Sequence, residues 1–367
     1  MRVPSSWLRD WVDPTVDLAG LAERLTLAGH EVDAIESYGA GLGDVVVAEV
    51  LATRPHPDAD TLTLCQVATG KDQAEVVCGA PNVRAGMKSA FAPAGGRLPD
   101  GTQLKRSKIR GIVSNGMLCS ARELGLGDDA DGIIELAADA APGTPLAELL
   151  GLPDPVLELN LTPNRGDCYS IRGIAREVAA LTGTRVTAQP AAPVQPTHDG
   201  THPVVVEDPA ACPRFAARVV RNIDSNAKTP RWLAERLRRC GIRTIHPVVD
   251  VTNYVMLETG QPLHAYDLDR LQGTVRPRFA RGGETVTLLD EREIALNTDT
   301  LVISDDSGPI GLAGIMGGLG TSVTADTRNV FFEAAFWPQS VVAGRARSYA
   351  LHTDASLRFE RGVDPAG

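Results

Sequence analysis

Apolar positions near the start of the chain repeat at helical spacing. Leu18, Leu21, Ala22 and Leu25 share one face, Asp17 stands at the N-cap position and Gly29 follows, so the pattern predicts a helix over Leu18–Ala28. Val32 and Ile35 read as a strand that runs into the glycine-rich Gly39–Gly43. From Asp44 to Leu136 the pattern becomes short strands between turns. Val45–Val50, Thr63–Ala68, Glu75–Cys78, Ser89–Pro93 and Gly116–Cys119 are the strand candidates, and their spacing suggests a small closed barrel. A strand follows at Pro155–Leu161. Ile171, Ile174, Ala175, Val178 and Leu181 then form one stripe, which predicts a helix over Ser170–Leu181 capped by Asp167 and closed by Gly183. Thr187–Pro203, rich in Pro, Ala and Gln, reads as a linker. Beyond it the pattern is mixed. Phe215–Ile223 predicts a strand, Pro230–Arg239 a helix with Thr229 as N-cap, and Val249–Leu257 a helix that stops at Gly260. Thr285–Leu289, Thr300–Ile303 and Asn329–Glu333 read as sheet.

Composition fits this picture. The chain has 367 residues, enough for two or three domains. Aromatic residues are 4%, so the cores must be built from Val, Leu, Ile and Ala, and the 36 Gly and 25 Pro favour β-rich domains over a bundle. No pair among the six cysteines has zinc-site spacing, so reduced thiols are expected. No apolar run reaches ~18 residues, and MRVPSSWLRDWVD lacks the apolar core of a secretion signal. The net charge of −10 argues against a general nucleic-acid binder. That average conceals one basic stretch. Between Arg84 and Arg122 eight basic residues face one acid, Asp100, and four of the eight (Lys105, Arg106, Lys108, Arg110) are nearly contiguous. Phosphate would be attracted there while the whole stays acidic. Only Phe91 is aromatic in this block, so base stacking has little to work with.

Three blocks carry the more specific signals. The first is HPDADTLTLCQV (His56–Val67) with VVCGAPNVRAGMKSAFAPAGGRLPDG (Val76–Gly101) and KRSKIRGIVSNGMLCSARELGL (Lys105–Leu126). It resembles the OB-fold tRNA-binding domain of phenylalanyl-tRNA synthetase β subunits. The second, LELNLTPNRGDCYSIRGIAREVAALTG (Leu157–Gly183), resembles the segment that follows that barrel. Arg165 and Asp167 sit in it, where turn and capping chemistry explain them. The third is the most specific: VVDVTNYVMLETGQPLHAYDLDRL (Val248–Leu271), GLAGIMGG (Gly311–Gly318), VFFEAAFW (Val330–Trp337) and LHTDASLRFERGVDP (Leu351–Pro365). In this order the four strings resemble the editing module of bacterial phenylalanyl-tRNA synthetase β subunits.

The resemblance implies a multidomain α+β fold. An OB-fold barrel (39–151) is inserted in a small N-terminal α/β domain (1–38 with 152–186). A linker (187–203) and a mixed α/β editing domain of B3/B4 type (204–367) follow. It also implies a function: binding tRNA(Phe) and hydrolysing the ester when tyrosine has been attached in error. An apolar pocket rejects an isostere that merely adds a hydroxyl by only about 100-fold. A second pocket with a buried acceptor reads that hydroxyl directly, because phenylalanine leaves the acceptor unpaired at a cost of about 1–3 kcal/mol or more. Glu333, among Phe331, Phe332, Ala334 and Phe336, is the expected acceptor. Strand alternation alone would leave it an outward charge. His264, in GQPLHAYD, is expected to position water or substrate; without the resemblance it would read as a histidine bonded to backbone. Thr252, Asn253, Pro262, Gly314, Gly317, Thr353 and Ala355 are carried over as the rest of the pocket, the glycines for close backbone approach and Ala355 for room. Lys88, Arg97, Lys105, Arg106, Lys108 and Arg110 are the expected tRNA contacts. His246 departs from the family pattern and is given no catalytic role.

No metal is expected in this chain. ATP and Mg2+ serve the complete enzyme, whose adenylate-forming α subunit would be the partner in an α2β2 heterotetramer, in the cytoplasm. Family β subunits continue beyond the equivalent of Gly367. A non-catalytic tRNA-binding scaffold for the α subunit is the alternative. A hydrolase pairing His264 with Asp267 or Asp250 ranks last, since no GxSxG nucleophile motif is present.

Overall fold

The structure is a computed structural model and describes residues 1–70, 72–187 and 192–366. Residues 188–191 of the expected linker therefore lie outside the described residues. The chain divides into two compact units, Ile35–Val156 and Met1–Ala34 with Leu157–Gly367.

The Ile35–Val156 unit is built on a five-stranded antiparallel sheet. Its order is Asp72–Cys78, Ala59–Thr69, Val46–His56, Lys88–Pro93 and Gly116–Leu118. Alternation along the strands feeds two cores. Ala48, Val50, Val67, Val76 and Phe91 bury one face, and Val47, Ala90, Ala92 and Leu124 the other. Ladder pairing does not close the sheet among the described residues, so the expected closed barrel is not formed by strand pairing. Its two edges do approach one another. The Asn115 N–H donates to the Glu75 carbonyl (3.0 Å) and the Val77 N–H to Ser114 Oγ (3.1 Å). A separate hairpin, Ser107–Ile109 with Ile112–Ser114, turns at Arg110 and Gly111, both at positive φ. That is the backbone a two-residue hairpin turn of native twist requires.

In the other unit the N-terminal helix is Leu18–Leu27, and the Asp17 carboxylate accepts from the Gly20 N–H (2.8 Å). Leu21 and Leu25 bury against Ile174, Ala175 and Val178 of the helix Ile171–Thr182, with Trp7 and Leu8 completing the core. That second helix is capped by Ser170, whose hydroxyl accepts from the Gly173 N–H (2.9 Å). Asp167 is not the cap: its carboxylate is drawn instead to the Arg165 guanidinium (2.9 Å). Thr229 likewise does not cap the helix Arg231–Arg239. Its hydroxyl donates to the fully buried Asp250 carboxylate, and Pro230 takes the cap position with no side-chain bond. Leu233, Leu237 and Leu257 belong to the same core as Leu21 and Leu25, which joins the N-terminal elements and the later segment in one unit.

Two sheets follow. The strand Val330–Phe336 lies between Arg214–Val220 and Leu263–Asp267. A four-stranded sheet runs Arg276–Phe279, Leu301–Asp305, Gly308–Leu312, Met316–Gly317. The helix Pro247–Thr259 packs through Val248 on Ala265 and Val330. It starts at His246, whose Nδ1 accepts from the Val248 N–H (3.3 Å), so this histidine is a helix cap. Among the described residues no helix is long and apolar enough to cross a membrane.

Candidate functional site

The strands Leu263–Asp267 and Val330–Phe336 run antiparallel, with His264 directly opposite Glu333. Side chains of such a pair stand on one face with Cβ atoms about 5 Å apart. The sequence pattern assigns no strand at His264. The five-residue strand LHAYD is too short for its period to be read, yet pairing with a buried central strand fixes it.

His264 and Glu333 line a hollow of about 60 Å³ together with Pro262, Tyr266, Gly314, Met316, Gly317, Trp337, Ala355 and Phe359. Glu333 is 7% exposed. Its Oε2 accepts from the Tyr266 hydroxyl (2.7 Å), and Oε1 has no hydrogen-bond partner among the described residues. Burial pushes the carboxyl up to about 7, against the downward pull of that bond. Burial likewise pushes His264 down to about 4, so its imidazole is neutral near pH 7, and its Nε2 is buried without a partner. The ring stands edge-on to Tyr266, centroids 4.5 Å apart.

Six of the expected pocket residues meet here: His264, Glu333, Pro262, Gly314, Gly317 and Ala355. The two glycines serve the protein's own rings. A Cβ on Gly317 would stand 2.3 Å from His264 Cε1 and 2.4 Å from Nε2, and one on Gly314 2.8 Å from Trp337. Gly314 also has φ +69. Thr353 is outside the lining. It caps the helix Asp354–Arg361 and donates to the Ile315 carbonyl (2.9 Å), which ties that helix to the glycine-rich wall. Thr252 and Asn253 do not line the hollow either. Their helix packs on Ala265 and Val330, which alternate with His264 and Glu333 and so face the other side of the sheet. The Thr252 hydroxyl is spent on the Val249 carbonyl (2.7 Å). Tyr266 is the residue missed. Its signal was the two-residue step from His264, visible only once the strand is known.

In the Ile35–Val156 unit, Lys105, Arg106, Lys108 and Arg110 stand exposed on or beside the hairpin, and Arg97 is also exposed. Arg106 Nε donates to Asn115 (2.7 Å). Lys88 does not belong with them: its side chain is 12% exposed and its ammonium pairs with Glu49. Among the described residues one group has metal-ligand chemistry, His30, Cys168 and Glu177. The Arg165 guanidinium already occupies it, 2.8 Å from His30 Nε2, 3.0 Å from Cys168 Sγ and 2.7 Å from Glu177, so a cation's place is taken.

Residues 45–145 match the family described as "Putative tRNA binding domain", and residues 211–367 match the "B3/4 domain". The chain thus joins a tRNA-binding module to a B3/4 domain that holds the His264–Glu333 hollow. It is 52% identical over 364 residues to the phenylalanine–tRNA ligase β subunit of Pseudomonas savastanoi pv. phaseolicola, covering 99% of this chain and 46% of that protein. It is 51% identical over 366 residues to that of Legionella pneumophila, covering 100% and 46%. An N-terminal fragment of the Pyrococcus horikoshii phenylalanyl-tRNA synthetase β subunit overlaps at 18% identity with a TM-score of 0.32, covering 52% of this chain and 58% of that one. The chain belongs to the phenylalanine–tRNA ligase β-subunit family and spans about half the length of the curated relatives it matches.

Proposed function

We propose that this chain removes tyrosine attached in error to tRNA(Phe), within an enzyme whose α subunit forms the correct ester with ATP and Mg2+. The observation that carries the reading is the register pairing of His264 with Glu333 over one buried hollow. Water attacks the ester carbonyl carbon, the carbonyl-to-ribose C–O bond breaks, and the terminal ribose oxygen leaves with a proton. Free tyrosine and uncharged tRNA result. The neutral imidazole of His264, with Nε2 unpartnered, orients that water. Glu333 Oε1 accepts from the para-hydroxyl, and phenylalanine leaves it unpaired. A phenol ring must widen the hollow on entry, because about 60 Å³ is well under the ~150 Å³ of a cavity that takes benzene. Unbranched Met316 in the wall is the side chain best able to yield.

The same proposal places tRNA on the exposed cations Arg97, Lys105, Arg106, Lys108 and Arg110. The approach of the five-stranded sheet's edges through Asn115–Glu75 and Val77–Ser114 supports an OB-like, partly open barrel for this unit. The insertion 39–151 in a split N-terminal domain, followed by the editing domain from 204, is the domain reading that accompanies it.

Deacylation of tyrosine- and phenylalanine-charged tRNA by the full chain tests the proposal. Tyrosine should be released and phenylalanine spared. His264→Ala should lower the rate about 100-fold, and Glu333→Ala should chiefly abolish the preference. Binding of charged tRNA with no release of either amino acid would establish the non-catalytic scaffold instead.

A further inference from the structure

Glu333 is held by a second buried group that the proposed chemistry leaves unused. Tyr266 is 1% exposed, and its hydroxyl donates to Glu333 Oε2 at 2.7 Å. The phenol has no other hydrogen-bond partner among the described residues, and its ring lies edge-on to His264. One side chain thus touches both members of the pair from the same strand, two residues along from His264.

Accepting that site, we infer that Tyr266 is a positioning residue for selection: its hydroxyl engages one oxygen of Glu333 and leaves the other to receive the para-hydroxyl of the bound amino acid. A carboxylate free to rotate would offer either oxygen in several directions. Anchored at Oε2, it offers Oε1 in one. The same bond favours the ionised carboxylate, the stronger acceptor, against the burial that opposes it. The other titratable groups facing Glu333 are His264 on the paired strand and Cys212, whose thiol is pushed up to about 12, chiefly by burial. Near pH 7 neither His264 nor Cys212 carries charge, so ionisation of Glu333 is governed by burial and by the Tyr266 hydroxyl.

Tyr266→Phe in the full chain removes the one hydroxyl and keeps the ring against His264. The expected result is about a tenfold fall in kcat/KM for tyrosine-charged tRNA at pH 7, mostly through KM. Cleavage of phenylalanine-charged tRNA should not change. The acid limb of the tyrosine reaction should move up by about 1 on the pH scale, so that activity recovers near pH 9. A folded Tyr266→Phe protein with the wild-type preference and limb would overturn the inference, since loss of packing alone moves neither. Should that variant not fold, site-specific 3-fluorotyrosine at position 266 keeps the shape and strengthens the donor. The limb should then move down, and an unmoved limb would overturn the inference. Failure of the underlying reading looks different: the unaltered chain would show no preference for tyrosine, or His264→Ala would cost nothing.

Discussion

Gly317→Ala is the sharpest probe of the paired site, because it adds one methyl group and no backbone strain: Gly317 is not among the positive-φ residues. The new Cβ would stand 2.3 Å from His264 Cε1 and 2.4 Å from Nε2. Ordinary contact begins near 3.4 Å, so the ring must retreat by about 1 Å. A displacement of that size costs on the order of 100-fold in rate. Overpacking should cost about 1–3 kcal/mol of stability as well. The assay is single-turnover release of tyrosine from charged tRNA, run beside thermal unfolding, for the two single variants and the His264→Ala/Gly317→Ala double variant. If the methyl acts on the ring, the double variant should hydrolyse no more slowly than His264→Ala. The alanine at 317 should also destabilise that background far less, a coupling of roughly 1–3 kcal/mol. Full activity in Gly317→Ala, or strictly additive losses in the double variant, would refute the claim that this glycine exists to seat the imidazole.

Two other outcomes follow. The Glu333 carboxyl is raised from 4.5 to about 7, so its contribution to stability is fully present below pH 4.5 and lost as pH rises towards 7. His264, lowered from 6.5 to about 4, works in the opposite sense: its contribution is present above 6.5 and lost on acidification towards 4. Glu333→Gln should therefore gain up to about 3 kcal/mol relative to the parent between pH 4.5 and 7, read by chemical unfolding across that range; a pH-independent difference would contradict the burial argument. On the other unit, Lys105→Ala and Lys108→Ala should each weaken tRNA binding and lower the log–log salt slope by about 1. Lys88→Ala should leave that slope unchanged, because Glu49 already neutralises it. Equal effects at all three positions in salt titrations would remove the distinction.

Elements governed by local physics were legible in the sequence. The 18–27 helix with its Asp17 cap and the helix closed by Gly183 are fixed by spacing and by side chains within one turn. The expected caps Asp167 and Thr229 fail because each side chain has a stronger partner: Arg165 holds the Asp167 carboxylate while Ser170 caps the helix, and the Thr229 hydroxyl donates to Asp250. Glu333 was legible as a polar residue in an apolar run, but the role proposed for it depends on a strand partner 69 positions away. Thr252 and Asn253 show the converse. Expected in the pocket, they sit on a helix that covers the opposite face of the sheet. Gly317 was expected to admit a ligand, whereas the atom its missing side chain admits belongs to His264.

The pairing of His264 with Glu333 spans the seam between a central strand and its neighbour rather than lying on one loop. A slip of that seam by a single residue would turn one of the two outward. The ester cleavage proposed for this chain is therefore a reporter of correct sheet assembly: a refolding chain should show it only when that neighbour has annealed in its native alignment, whatever its overall helix content.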